Sequence, residues 1–156
     1  MSEISDDTDW TFLRPIGSVA DEPVIAPLNE RGLHLGNRHA ADPDRHERRF
    51  DAVVSVSTAA SPLTTHHHPL TDGEGNDWSA FAAAVDAVRR LSGTGDVLVN
   101  CKAGVSRSTA VLATAVAAER GASFRDGLAT VEAARPEAVP HPALVELGVV
   151  YLAARG

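Results

Sequence analysis

A lone cysteine, Cys101, is followed at the sixth position by Arg107 within Val97-Leu98-Val99-Asn100-Cys101-Lys102-Ala103-Gly104-Val105-Ser106-Arg107-Ser108. An apolar run enters a segment of small residues and leaves it for an Ala- and Val-rich stretch, the pattern of a strand, a tight loop and a helix. Such a loop suits an oxyanion. The backbone N–H groups of Lys102, Ala103, Gly104, Val105, Ser106 and Arg107 can turn inward around a tetrahedral anion, Gly104 permits the turn, and the helix that follows adds its positive end. Arg107 can bring a planar guanidinium back over the mouth to hold two oxygens, which lysine does less well. The same donors and charge suit a nucleophilic sulfur at Cys101. Without this context a single cysteine reads as a small buried hydrophobe; with it, the conjunction points to phosphate or a related oxyanion.

The surrounding elements must hold that loop at a strand end. Leu33 to Leu35 is expected to be a short strand, Asp51 to Val56 a buried one and Asp96 to Asn100 a third. Between the last two, Phe81, Val85, Val88 and Leu91 recur at helical spacing, which predicts an amphipathic helix from near Asp77 to before Gly93 and a βαβ-like crossover. Ser108 to Arg120 reads as a buried helix ended by Gly121. Ser123 with Asp126 opens a helix carrying Phe124, Leu128 and Val131, and Pro142 suits the first turn of another carrying Leu144, Leu147 and Tyr151. The expected fold is α/β, with a central, largely parallel sheet flanked by helices and a helical C-terminal third. Residues 1–32 read as an irregular lead-in packed on the domain, with one strand near Trp10 to Leu13, and 33–156 as the catalytic domain.

Cys101-Lys102-Ala103-Gly104-Val105-Ser106-Arg107-Ser108 resembles the signature loop of the dual-specificity branch of the protein tyrosine phosphatases. Leu33-His34-Leu35-Gly36-Asn37 is similar to the early strand and turn of that family, and Arg135-Pro136 with Pro140 to its segment after the signature. The resemblance implies hydrolysis of phosphate monoesters on protein Tyr or Ser/Thr side chains through a phosphocysteine, without a metal or other cofactor. It also implies an acid-bearing loop at Pro69-Leu70-Thr71-Asp72-Gly73. There Asp72 would protonate the departing oxygen and then, as carboxylate, take a proton from the water that hydrolyses the intermediate. Ser108 would hydrogen-bond the sulfur as it is expelled. Asp before Gly is also a common turn residue; Asp77 is the substitute acid, although its place at a helix start suits a plain N-cap, and Glu74 is third. Two positions depart from the family pattern. Asn100 stands where His is usual, and Asn can donate hydrogen bonds but cannot carry charge. His141 stands in Pro140-His141-Pro142 where Asn would be more family-like.

Acidic residues outnumber Lys and Arg by 21 to 14, giving a net charge of −7, so the surface as a whole repels polyanions and no nucleic-acid partner is expected. Arg38, Arg45, Arg48 and Arg49 are interleaved with acids and read as a solvated helix face, or else as a docking patch for an acidic substrate. One cysteine excludes an internal disulfide and a multi-cysteine metal or redox site. Consecutive His66, His67 and His68 alternate in direction on an extended chain and cannot all reach one ion. No apolar run is long enough for a bilayer, and a soluble, cytoplasmic, monomeric protein acting on a phosphorylated protein is expected. The competing expectation is a catalytically weak or inactive module that binds phosphoresidues; sulfur transfer by a rhodanese-like loop fits the Ser106-Arg107-Ser108 ending less well.

Overall fold

A computed structural model of the chain describes residues 20–155. Its strands are β1 (Ile25–Pro27), β2 (Leu33–Gly36), β3 (Ala52–Ser55), β4 (His66–His67) and β5 (Val97–Asn100), and its helices α1 (Trp78–Leu91), α2 (Arg107–Arg120), α3 (Phe124–Ala134) and α4 (Pro142–Arg155). They form one five-stranded sheet in the order β1-β2-β5-β3-β4. The sheet is parallel throughout except for β1, which runs antiparallel to β2. The α/β architecture with a largely parallel sheet therefore holds, and α1 makes the expected crossover between the neighbouring strands β3 and β5.

Side chains alternate across the strands and divide the core between the two faces. Ala52, Val54, Val97 and Val99 join the large cluster with Phe81, Val85, Leu112, Val131, Leu144 and Tyr151. Val53 and Leu98 turn the other way, onto Ala40 and Ala41. The helix α2 is buried along nearly its whole length and packs against α1, α3 and α4, which explains why its sequence is small and apolar all round rather than striped. It ends at Gly121, which takes the left-handed conformation at φ 66°, as a C-terminal glycine does. Ser123 accepts the Asp126 N–H at the start of α3.

Two parts depart from expectation. The lead-in contributes β1, an edge strand too short and too near a proline to show periodicity. The Arg38–Arg49 segment is no helix face: only Arg38–Ala41 winds, as a single 3-10 turn. Beyond it Arg45 donates to the Asp21 carbonyl, while Arg48 reaches Asp96 at 3.5 Å and lies 4.7 Å over the Phe50 ring. The histidine run is extended as expected: His66 and His67 form the edge strand β4, where His66 bonds Thr65 Oγ1 and His67 donates to the Ser57 carbonyl. The strand expected near Trp10 to Leu13 lies outside the described residues. None of the described helices is long and apolar enough to cross a membrane.

Candidate active site

The sheet aims its chemistry at one edge. Asn100, the last residue of the central strand β5, pairs with Gly36 on one side and Ser55 on the other. Cys101 thus emerges where three parallel strands end together, the usual place for a ligand in an open α/β sheet.

The loop's carbonyls are all engaged from outside. Lys102 O accepts the Arg38 N–H at 3.1 Å, Val105 O the Val139 N–H at 2.9 Å and Ser106 O the Ala110 N–H at 3.0 Å. The Arg135 guanidinium supplies the rest, with Nη2 on Ala103 O at 3.4 Å and Nε on Gly104 O at 2.9 Å. In a planar trans peptide the N–H points opposite to the carbonyl before it. The N–H groups of residues 103–107 are therefore turned from those encircling partners toward the inside of the loop. No N–H of residues 102–107 donates to an acceptor among the described residues, which leaves the set available to an anion, as a cradle requires. Gly104 is what allows the curvature: its φ is +68°, and a Cβ there would stand 2.9 Å from the Gly36 carbonyl.

Cys101 lies at the floor, 2% exposed. Its N–H donates to Gly36 O at 3.3 Å, and its sulfur is 3.2 Å from Ser108 Oγ on the first turn of α2. Arg107 starts that helix and is steered by a bond from Nη1 to the Leu70 carbonyl at 3.2 Å. Ser106 joins the loop to the acid-bearing turn: its hydroxyl accepts the His141 N–H at 2.9 Å and donates to Asp72 Oδ1 at 2.6 Å. Asp72 itself is exposed. Its turn is clasped by Asn76, whose Oδ1 accepts the Thr71 N–H and whose Nδ2 donates to the Thr71 and Gly73 carbonyls.

The structure thus gathers Cys101, the loop amides, Arg107, Ser108 and Asp72. It does not bring in the other two carboxylates. Asp77 caps α1 by position, without a side-chain cap bond, and Glu74 faces a separate cleft with His141 and Glu146. Asn100 is fully buried beneath the loop. Its Oδ1 accepts the Ser55 hydroxyl at 2.6 Å, and Ser55 in turn meets Thr64 Oγ1 at 2.7 Å. Its Nδ2 has no hydrogen-bond partner among the described residues. His141 supports the loop through its backbone N–H, while its ring accepts the Ala143 N–H at the head of α4.

Two contributors, Arg135 and Asn37, have roles that their places in the sequence do not disclose. Arg135 had been noted only as part of a motif, yet it holds two of the loop's carbonyls. Asn37, fully buried, accepts the Val24 and Ala40 N–H groups and donates to Glu22 O, so it pins the lead-in behind the Gly36 turn on which Gly104 rests. Arg38 and Lys102 stand beside each other at the mouth of a cleft of about 520 Å³ that also includes Arg107 and the Ser57–Ser61 segment. A buried polar side chain next to Gly was the one signal that could have drawn attention to Asn37.

No protein-family model matches the sequence. Individual relatives do. Human dual specificity phosphatase 28 is 31% identical over 136 residues, covering 79% of this chain and 76% of that protein. The chain belongs to the dual-specificity phosphatase family. Human dual specificity protein phosphatase 15 is 34% identical over 120 residues, 71% of this chain but 40% of its own length; the rat and mouse proteins of that name are covered to 50% and 51%, so the chain spans about two fifths to one half of these relatives. Among solved structures, that of human dual-specificity phosphatase 28 superposes with a TM-score of 0.68 at 26% identity, covering 88% of this chain and 98% of the other. A mouse putative dual specificity phosphatase complexed with zinc tungstate gives 0.66 at 28% identity, covering 88% and 91%. The family's fold thus extends over most of the described chain.

Proposed function

We propose that the chain hydrolyses phosphate monoesters on protein side chains, phosphotyrosine and phosphoserine or phosphothreonine alike, through a phosphocysteine. The observation that carries this is the cradle: amides turned toward the inside of the loop, Arg107 at the mouth and Cys101 at the floor. Membership of a phosphatase family supports it, and so does a structural neighbour crystallised with tungstate, a tetrahedral oxyanion like phosphate.

The loop amides and the Arg107 guanidinium bind the three non-bridging oxygens. Cys101 attacks as thiolate; the S–P bond forms as the P–O bond to the substrate breaks, and Asp72 delivers its proton to the departing oxygen, giving the free hydroxyl. Water then attacks phosphorus, Asp72 takes its proton, the S–P bond breaks and inorganic phosphate leaves. Ser108 donates its O–H to the sulfur as thiolate is restored. Ser106 fixes the orientation of the Asp72 carboxyl in both steps. The single cysteine, kept as a thiol, suits a reducing compartment, and we place the activity in the cytoplasm.

Turnover of p-nitrophenyl phosphate in EDTA tests the proposal. The wild type is expected to be active and Cys101→Ser inactive. If the wild type binds phosphopeptide tightly without turning it over, the chain is instead a phosphoresidue-binding module.

A further inference from the structure

The cleft beside the cradle, at about 520 Å³, is several times the size of a phosphoryl group and of a size that holds a further substrate moiety. Its walls are Arg38, Lys102 and Arg107, Ser57, Thr58 and Ser61, and two alanines; among the described residues no carboxylate and no aromatic ring lines it. Arg107 is committed to the phosphate. Arg38 and Lys102 are not: both are exposed, and neither side chain has a hydrogen bond or an ion pair among the described residues. The bond from Arg38 N–H to Lys102 O holds the two backbones together, and both residues line the same cleft, so it holds two like charges. Unpaired neighbouring cations are unfavourable until an anion joins them. In a chain of net charge −7 their placement at the substrate mouth needs a reason.

The opposite side has the opposite character. The late end of the loop, at Ser106, contacts the Asp72 carboxylate and the His141 N–H, and the separate cleft that His141 also lines carries Glu74 and Glu146 but no Lys or Arg. The loop is thus flanked by basic side chains at Lys102 and by a carboxylate at Ser106.

We infer that Arg38 and Lys102 form a subsite for an acidic side chain next to the phosphoresidue of a substrate peptide. The scissile phosphate lies in the cradle and a neighbouring Asp or Glu carboxylate lies along the Ser57–Ser61 wall. The inference rests on the phosphatase proposal for where the phosphate sits. It opposes the chain's net charge, which by itself disfavours acidic peptides.

The test is the affinity of Cys101→Ser for phosphotyrosine peptides with neutral flanks, with Glu on the N-terminal side, or with Glu on the C-terminal side, read by fluorescence anisotropy at low salt. One Glu placement is expected to bind about three- to tenfold tighter than the neutral peptide, the size of one or two exposed ion pairs, and to lose that gain as salt is raised. Adding Arg38→Ala should remove most of the gain and Arg38→Glu should reverse it. Because Arg38 is exposed and its side chain makes no hydrogen bond or ion pair among the described residues, these changes are read on a folded protein. Equal binding of all three peptides, or a preference that survives Arg38→Glu, overturns the subsite and leaves the phosphatase proposal standing. Failure to bind any phosphopeptide overturns both.

Discussion

The cysteine loop and the Asp72 turn meet at a single hydroxyl, yet they are built in opposite ways. The loop continues the central strand of the sheet, is ringed by bonds from four separate places in the chain, and leads into the most buried helix. The Asp72 turn lies in solvent, closed on itself by Asn76 and joined to the loop by Ser106. What the contrast teaches is a division of labour. On the proposed mechanism, groups that bind the transferring phosphoryl need fixed geometry and are set in the core, whereas the group that exchanges protons with leaving group and water needs access and sits on an exposed turn.

Substitutions in the two regions should separate on this basis. The largest effect is expected at Gly104. Gly104→Ala forces a Cβ against the Gly36 carbonyl at positive φ, which should cost about 1–3 kcal/mol in urea unfolding and abolish turnover. Arg107→Lys keeps the charge but loses the fork, and should lower kcat/KM by about a hundred- to a thousandfold while leaving the unfolding midpoint nearly unchanged. A loop that tolerated either change would not be the rigid half of the comparison.

Asp72→Ala sharpens the other half. Its loss should be about a hundredfold or more on an alkyl phosphate and clearly smaller on p-nitrophenyl phosphate, whose leaving group needs little protonation; an equal loss on both would move the acid role to Asp77. Ser106→Ala leaves the carboxylate in place but removes its bond to the loop. It should cost about tenfold in kcat on the alkyl phosphate, with about 1 kcal/mol of stability from the two bonds at that hydroxyl, and little change with p-nitrophenyl phosphate. Smallest is Asn100→His: a chargeable ring beneath the loop should speed iodoacetamide alkylation of Cys101 at neutral pH by about two- to fivefold, and an unchanged rate would show that this position does not influence the sulfur.

The loop was legible in the sequence because its signals are local. Val97 to Val99 announce a buried strand, Gly104 a tight turn, and the unbroken Ala and Val run to Gly121 a helix, while Arg107 follows Cys101 at a spacing that a short loop can close. The bonds that hold the loop were not legible, since they join positions far apart in the chain. Ser106 finds Asp72 thirty-four residues away, and Arg135 reaches Gly104 O across thirty-one. His141 shows the same boundary: its side chain drew notice as an unusual residue, but its backbone N–H is what bears on Ser106. At Arg45 and Arg48 the alternation of charges suggests a helix face, and the partners Asp21 O for Arg45 and Asp96 and the Phe50 ring for Arg48 decide otherwise.

The most direct test of the covalent route is rapid acid quenching of Ser108→Ala during turnover of p-nitrophenyl phosphate, followed by peptide mass spectrometry. Slower expulsion of the sulfur should let the intermediate accumulate, and a phosphoryl adduct is expected on the peptide that carries Cys101. Continued turnover with no adduct there, together with undiminished turnover by Cys101→Ser, would contradict it.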